Sequence, residues 1–188
     1  MTPTLGGSVE LLDRSLAYAC GRLTRVRDDL LDRRTPCAQW DLAALLAHME
    51  DALDAFTEAA GGSVDVLRWR TRAAPVPAIR AKATALHEAW SHPSPGDVVI
   101  ETAGGGRHDL ATPLLVATAA LEITAHGWDV ARATGEDTPI PPELAAALLP
   151  VARATVTPTD RGVRFGPALP APDDATADLR LLRFLGRT

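Results

Sequence analysis

Glu122 and His126 stand four residues apart in the segment Leu121-Glu122-Ile123-Thr124-Ala125-His126-Gly127-Trp128. On a helix that spacing is just over one turn, so both side chains leave the same face. At about 100° per residue, Leu114, Leu121 and Trp128 fall to one side of the pair. Ile123 and Val130 fall to the other, with Leu115 between. A carboxylate and an imidazole inside an apolar arc are costly to bury unless they are neutralised or hydrogen-bonded. A divalent metal ion answers that cost for both groups at once. A buried hydrogen bond or a solvated pair gives the same spacing, and a zinc site takes three or four protein ligands. A third ligand therefore has to come from another element.

The element carrying the pair reads as a helix from about Thr112 to Thr134, with Pro113 in its first turn and Gly135 closing it. Upstream, Ser8 is placed to cap a helix to about Leu31, with Leu11, Leu12, Leu16, Leu23, Val26 and Leu30 inward. A connector broken by Pro36 comes next. Asp41 then caps a second helix to about Ala60, stopped by Gly61-Gly62. Its apolar stripe is Leu42, Leu45, Leu46, Met49, Leu53 and Phe56; Glu50, Asp54 and Glu58 form the expected wet face. Residues 64–77 read as an irregular crossing, with a third helix from about Pro77 to Trp90. Val98-Val99-Ile100 and Gly104-Gly105-Gly106 predict a small extended excursion or hairpin over 97–109. No Gly-Lys-Ser or Gly-Lys-Thr succeeds those glycines, so they read as a turn rather than a phosphate loop. A shorter helix to about Thr155 starts from Pro139–Pro142. Val163-Arg164-Phe165 reads as extended, 167–172 as a surface linker, and 173–185 as a last helix.

Of the other histidines, His87 opens His-Glu-Ala-Trp-Ser, which lacks the second His of a HExxH motif. His92 and His108 fall in loop or hairpin regions and read as solvated. His48 lies beside the stripe of the second helix, flanked by Ala44, Ala52 and Ala55, small enough to let another helix approach. A satisfied half-buried histidine gives the same pattern.

The residues Thr35 to Met49, which include Pro36, Trp40, Asp41 and His48, resemble the opening motif of DinB-like metalloproteins of actinobacteria. More narrowly they resemble the group related to mycothiol-dependent maleylpyruvate isomerase. Glu122 to Gly135 is similar to that group's second motif, and Arg164-Phe165-Gly166-Pro167 with the later Pro172-Asp173-Asp174 is also like it. The resemblance implies a mainly all-α fold: a DinB/YfiT-like four-helix bundle with a long crossover and a short C-terminal extension. It also implies a divalent metal, usually zinc, held by His48, Glu122 and His126; nickel, manganese or iron are the other ions considered. Two imidazoles and one carboxylate leave a coordination position open, the pattern of a reactive centre.

Such a centre can favour the thiolate of a bound thiol, polarise a carbonyl or generate hydroxide from water. The resemblance selects the first. It implies a transferase or isomerase that uses a low-molecular-weight thiol such as mycothiol against an unidentified electrophile. A metal-dependent hydrolase and a non-catalytic ligand-binding module are the competing readings. A non-haem iron oxygenase shares the ligand set but normally uses a β-barrel. Asp129 either orients a ligand or binds substrate, against a default of a solvated acid or a helix-terminal hydrogen bond. Trp40 and Trp128 read most simply as core aromatics, and Arg132 as a surface residue with an anionic substrate as its functional alternative.

Composition narrows the rest. The chain of 188 residues, 46% hydrophobic and 23% charged, can bury a core without disulfides and reads as one domain over 1–188. Within it, the bundle takes about 8–134 and the extension about 139–188. Alanine is the most frequent residue, which favours closely packed helices. A net charge of −5 gives no electrostatic case for nucleic acid or an anionic membrane. There is no secretory leader in Met1–Gly7 and no run of about 18 apolar residues to span a bilayer. Cys20 and Cys37 lack metal-type spacing and read as reduced thiols in a cytoplasmic protein. No heptad stripe demands a partner chain, so the expectation is a monomer or homodimer.

Overall fold

The computed structural model describes residues 4–37, 40–65, 76–93, 98–101, 107–162 and 164–188. Six helices dominate it: α1 Leu5–Arg22, α2 Leu42–Ala59, α3 Val76–Ser91, α4 Thr112–Thr134, α5 Pro142–Thr155 and α6 Ala177–Phe184. Three short strands, β1 Ser63–Asp65, β2 Val98–Glu101 and β3 Arg107–Leu110, form one sheet in the order β1-β2-β3. β2 and β3 are the expected hairpin, paired antiparallel with Val99 opposite Asp109. β1 joins β2 in parallel, with Val64 opposite Ile100. The irregular crossing largely falls at residues 66–75, outside the described residues, as do the glycine turn at 104–106 and Val163.

The helix ends obey local chemistry. The Asp41 carboxylate accepts from the Ala44 amide at 2.8 Å, satisfying one of the amides left open at the start of α2. At the other end Gly62 takes φ +95°. α4 begins with Pro113 in its first turn and closes on Gly135 at φ +85°, a left-handed cap that glycine adopts without strain. α1 departs from expectation at both ends. Its cap is Thr4, whose hydroxyl accepts from the Gly7 amide, while Ser8 is buried inside the helix. It stops at Arg22 rather than near Leu31, and the chain continues as 3-10 turns over Leu23–Arg25 and Asp28–Leu30. Leu23 and Leu30 still point inward, so the apolar spacing persists although Val26 between them is extended.

α1 packs along α4, α2 pairs with α3 and meets α4, and α3 also touches α1, closing the four-helix bundle. α5 covers part of α4, and α6 packs on α5. One apolar cluster runs through the molecule from Leu12 to Leu185. α1 and α4 approach closely at Gly127, where an added Cβ would lie 3.0 Å from both Cα and Cβ of Ala19. The expected wet face of α2 needs one correction. Glu50 is 7% exposed and pairs with Lys82 of α3 at 2.9 Å; Lys82 also pairs with Asp54. The single lysine of the chain thus ties α2 to α3. Among the described residues no helix is long and apolar enough to cross a membrane.

Candidate metal centre

α4 presents Glu122 and His126 one turn apart toward α2, and α2 presents His48 back. His48 Nε2 lies 3.0 Å from Glu122 Oε1, and His126 Nε2 lies 3.1 Å from the same oxygen. The two imidazoles meet edge to face, with centroids 4.9 Å apart. The ligand atoms of the three residues all lie within 4.8 Å of one another, the one such set of three among the described residues. Nitrogen and oxygen ligands sit about 2.0–2.2 Å from zinc, and therefore roughly 3.0–3.6 Å from one another. The two histidine–glutamate spacings fall in that range.

The electrostatics favour a positive charge at the centre of this set. Burial opposes ionisation of Glu122, but the facing His126 and His48 outweigh it and hold the carboxyl well below the usual carboxylate range. Burial also opposes charge on His126; Glu122 and Asp129 reverse that and push it up to about 9. In the metal-free protein a proton supplies the charge that a divalent ion would supply in its place.

Around the three groups stands a second layer that the sequence made only partly visible. The default expectation of a solvated acid at Asp129 is corrected: the residue is 0% exposed and accepts from His126 Nδ1 at 3.0 Å. The Arg187 guanidinium grips the same carboxylate with two bonds of 2.8 and 2.7 Å. Burial opposes charge on Asp129 too, but Arg187 and then His126 outweigh it and keep the carboxyl low. Trp40 does more than fill the core: its ring centroid lies 4.5 Å from that of His48 and 5.9 Å from that of His126. Arg164 stands at the edge, with Nη2 3.9 Å from Glu122 Oε2 and its side chain about half exposed. Arg164 stood in the Arg164-Phe165-Gly166-Pro167 stretch that carries the resemblance, with no role assigned to it, and Arg187 had no sequence signal; each lies far along the chain from its partner here.

A narrow apolar cleft lies beside the site, with an interior of only about 20 Å³. Leu16, Leu23, Met49, Leu53 and Ile79 line it, and Glu122 and His126 form part of its wall. The remaining sequence candidates lie elsewhere. His87 Nδ1 pairs with Asp13 at 2.6 Å on the surface, and His92 is exposed; the side chain of His108 is outside the described residues. Arg132 pairs with Asp137 and stacks over Trp128, away from the three ligands. Cys20 and Cys37 are free and half-buried, and burial pushes both thiols up, against a thiolate nucleophile at either position.

A four-helix bundle whose second and fourth helices bring two histidines and a glutamate together defines a class of helical proteins with a metal-type site in the bundle core. The chain belongs to the mycothiol maleylpyruvate isomerase N-terminal domain family, whose sequence model matches residues 12–131. His48, Glu122, His126 and Asp129 all fall inside that match; Arg164 and Arg187 fall outside it. The chain is 31% identical over 175 residues to each of two Mycobacterium tuberculosis proteins. These are uncharacterized protein MT0763 of strain CDC 1551 / Oshkosh and uncharacterized protein Rv0738 of strain ATCC 25618 / H37Rv. The aligned region covers 88% of this chain and 90% of each relative. No solved structure matches the chain.

Proposed function

We propose that this protein is a divalent-metal-dependent thiol transferase or isomerase, with zinc as the metal and a low-molecular-weight thiol such as mycothiol as co-substrate. The observation that carries the reading is the convergence of His48 and His126 on one oxygen of Glu122, at 3.0 and 3.1 Å, beside an apolar cleft. His48, Glu122 and His126 would hold the ion. Bound there, it would supply Lewis acidity that favours the deprotonated form of a thiol.

The chain's own residues set the conditions for that chemistry. Asp129 keeps a His126 proton on Nδ1, because an ionised carboxylate can only accept, and so would leave Nε2 free to bind the ion. Trp40 covers the His48 ring and limits water on that side. The cleft would offer a small apolar group of an electrophile a surface beside Glu122 and His126. Arg164 is positioned at the rim for an anionic group of thiol or electrophile. The setting proposed is the cytoplasm, where the thiol pool is reduced and Cys20 and Cys37 stay free.

The test is product formation by zinc-loaded protein given mycothiol and a panel of activated alkenes, epoxides and unsaturated keto acids. The expected result is a thiol-dependent product that His126→Ala and His48→Ala abolish while weakening zinc binding. Turnover without added thiol would move the reading to a hydrolase. Stoichiometric zinc with no conversion of any electrophile would leave a binding module.

A further inference from the structure

We propose that Arg187 is a positioning residue for the candidate ligand His126, acting through Asp129. This rests on the reading of His126 as a metal ligand. The chain of contacts is continuous and buried. Arg187 Nε and Nη2 donate to Asp129 Oδ1 and Oδ2 at 2.8 and 2.7 Å, and His126 Nδ1 donates to Oδ2 at 3.0 Å. Asp129 is 0% exposed, and Arg187 and His126 are each 5% exposed.

Each link has a physical reason. A carboxylate this deeply buried cannot stay ionised without a cation, and the planar fork of arginine meets both of its oxygens at once. The ionised carboxylate can only accept, which fixes the His126 proton on Nδ1 and turns the ring so that Nε2 faces Glu122 and His48. Remove the guanidinium and the carboxylate loses its partner, takes up a proton or turns away. The imidazole is then free to rotate or change tautomer.

Arg187 is held in place by the fold of the extension. After α6 the Arg187 amide bonds back to the Leu182 carbonyl at 2.9 Å, and Leu185 is fully buried. Gly186 sits at φ +75° against the backbone of Gly166, where an added Cβ would lie 2.6 Å from the Gly166 Cα. Only a pair of glycines lets these two segments approach so closely. That approach carries Arg187 down to Asp129, over the ring of Phe165. The extension thereby supplies a part of the site that the family match to residues 12–131 does not reach.

The test uses full-length wild type, Arg187→Gln, Arg187→Lys and the charge-neutral double variant Asp129→Asn/Arg187→Gln. Two readouts are taken: the zinc dissociation constant by chelator competition, and the His126 ring N–H resonances of the metal-free protein by nitrogen-15 NMR. In wild type a slowly exchanging Nδ1–H is expected. Arg187→Gln should erase it and weaken zinc binding about 10- to 100-fold, the usual effect of losing the group behind a ligand. Arg187→Lys, a point charge without the fork, should recover only part of both. The double variant buries no lone charge, so it keeps the test decisive if Arg187→Gln does not fold; it too should lose the Nδ1–H signal and bind zinc weakly. A merely structural role would lower the unfolding midpoint and leave both readouts unchanged. Zinc affinity within about twofold of wild type with the Nδ1–H signal intact, in either neutral variant, overturns the proposal. If wild type takes up no zinc, the metal reading fails separately, and the NMR signal still decides whether Arg187 keeps the His126 Nδ1–H bonded to Asp129.

Discussion

At the scale of single residues, the site is a balance of buried charges, and its balance in the metal-free protein sets a pH dependence. His126 is pushed up to about 9 in the folded chain, above its ordinary value in an unfolded one. A group raised on folding contributes stability that is fully present below its unfolded pKa and is lost as pH rises through the folded pKa. The prediction is that urea unfolding in excess chelator shows a midpoint that falls between about pH 6.5 and pH 9, and that His126→Gln flattens this fall. A His126→Gln protein with the same pH profile as wild type would contradict the description of the buried cluster. Glu122 and His126 were legible in the sequence because a polar pair at helical spacing interrupts an apolar arc. His48 was legible only through the motif that runs from Thr35 through Trp40-Asp41 to Met49, since its own surroundings fit a half-buried histidine equally well. Asp129 was legible as a residue that could orient a ligand, but its pairing with Arg187 was hidden for a physical reason. Their ion pair spans 58 positions, and isolated charges carry no period that marks where they fold back.

At the scale of elements, the helices that place His48, Glu122 and His126 are those with the clearest punctuation. α2 and α4 start and stop where Asp41, Pro113 and Gly135 direct, so the phase of His48, Glu122 and His126 around their axes is set by the sequence. α1 was less legible, because an apolar spacing of three and four residues continues through two 3-10 turns separated by extended backbone at Val26 and Arg27. Glu50 was misplaced on a wet face because its partner Lys82 lies on another helix. The contact that sets the depth of the site is α1 against α4 at Gly127, the residue directly after His126. An added Cβ there would meet Ala19 at 3.0 Å and Tyr18 Cε1 at 3.3 Å. Gly127→Val is predicted to lower stability by about 1–3 kcal/mol, as overpacking does, read by chemical denaturation. Gly127→Ala should lose less, because the gain in helix propensity, about 1 kcal/mol, offsets part of the crowding. A Gly127→Val protein as stable as wild type would show that the two helices are not in such close contact.

At the scale of the whole molecule, the fold brings three distant stretches to one place. α2 gives His48, α4 gives Glu122, His126 and Asp129, and the turn after α6 gives Arg187. The helices and hairpin were legible from caps, periodicity and turn residues, and the four-helix bundle from the resemblance; the docking of the extension onto the site was not, since it depends on the approach of Gly166 to Gly186. The account stands or falls on whether one ion sits among His48, Glu122 and His126. X-ray absorption at the zinc edge of the stoichiometrically loaded protein measures this directly. The predicted spectrum has nitrogen and oxygen neighbours at about 2.0–2.2 Å with the outer-ring scattering of two imidazoles, and that scattering falls in both His48→Ala and His126→Ala. Failure of the wild type to load zinc, or a spectrum of either variant identical to that of wild type, would contradict it.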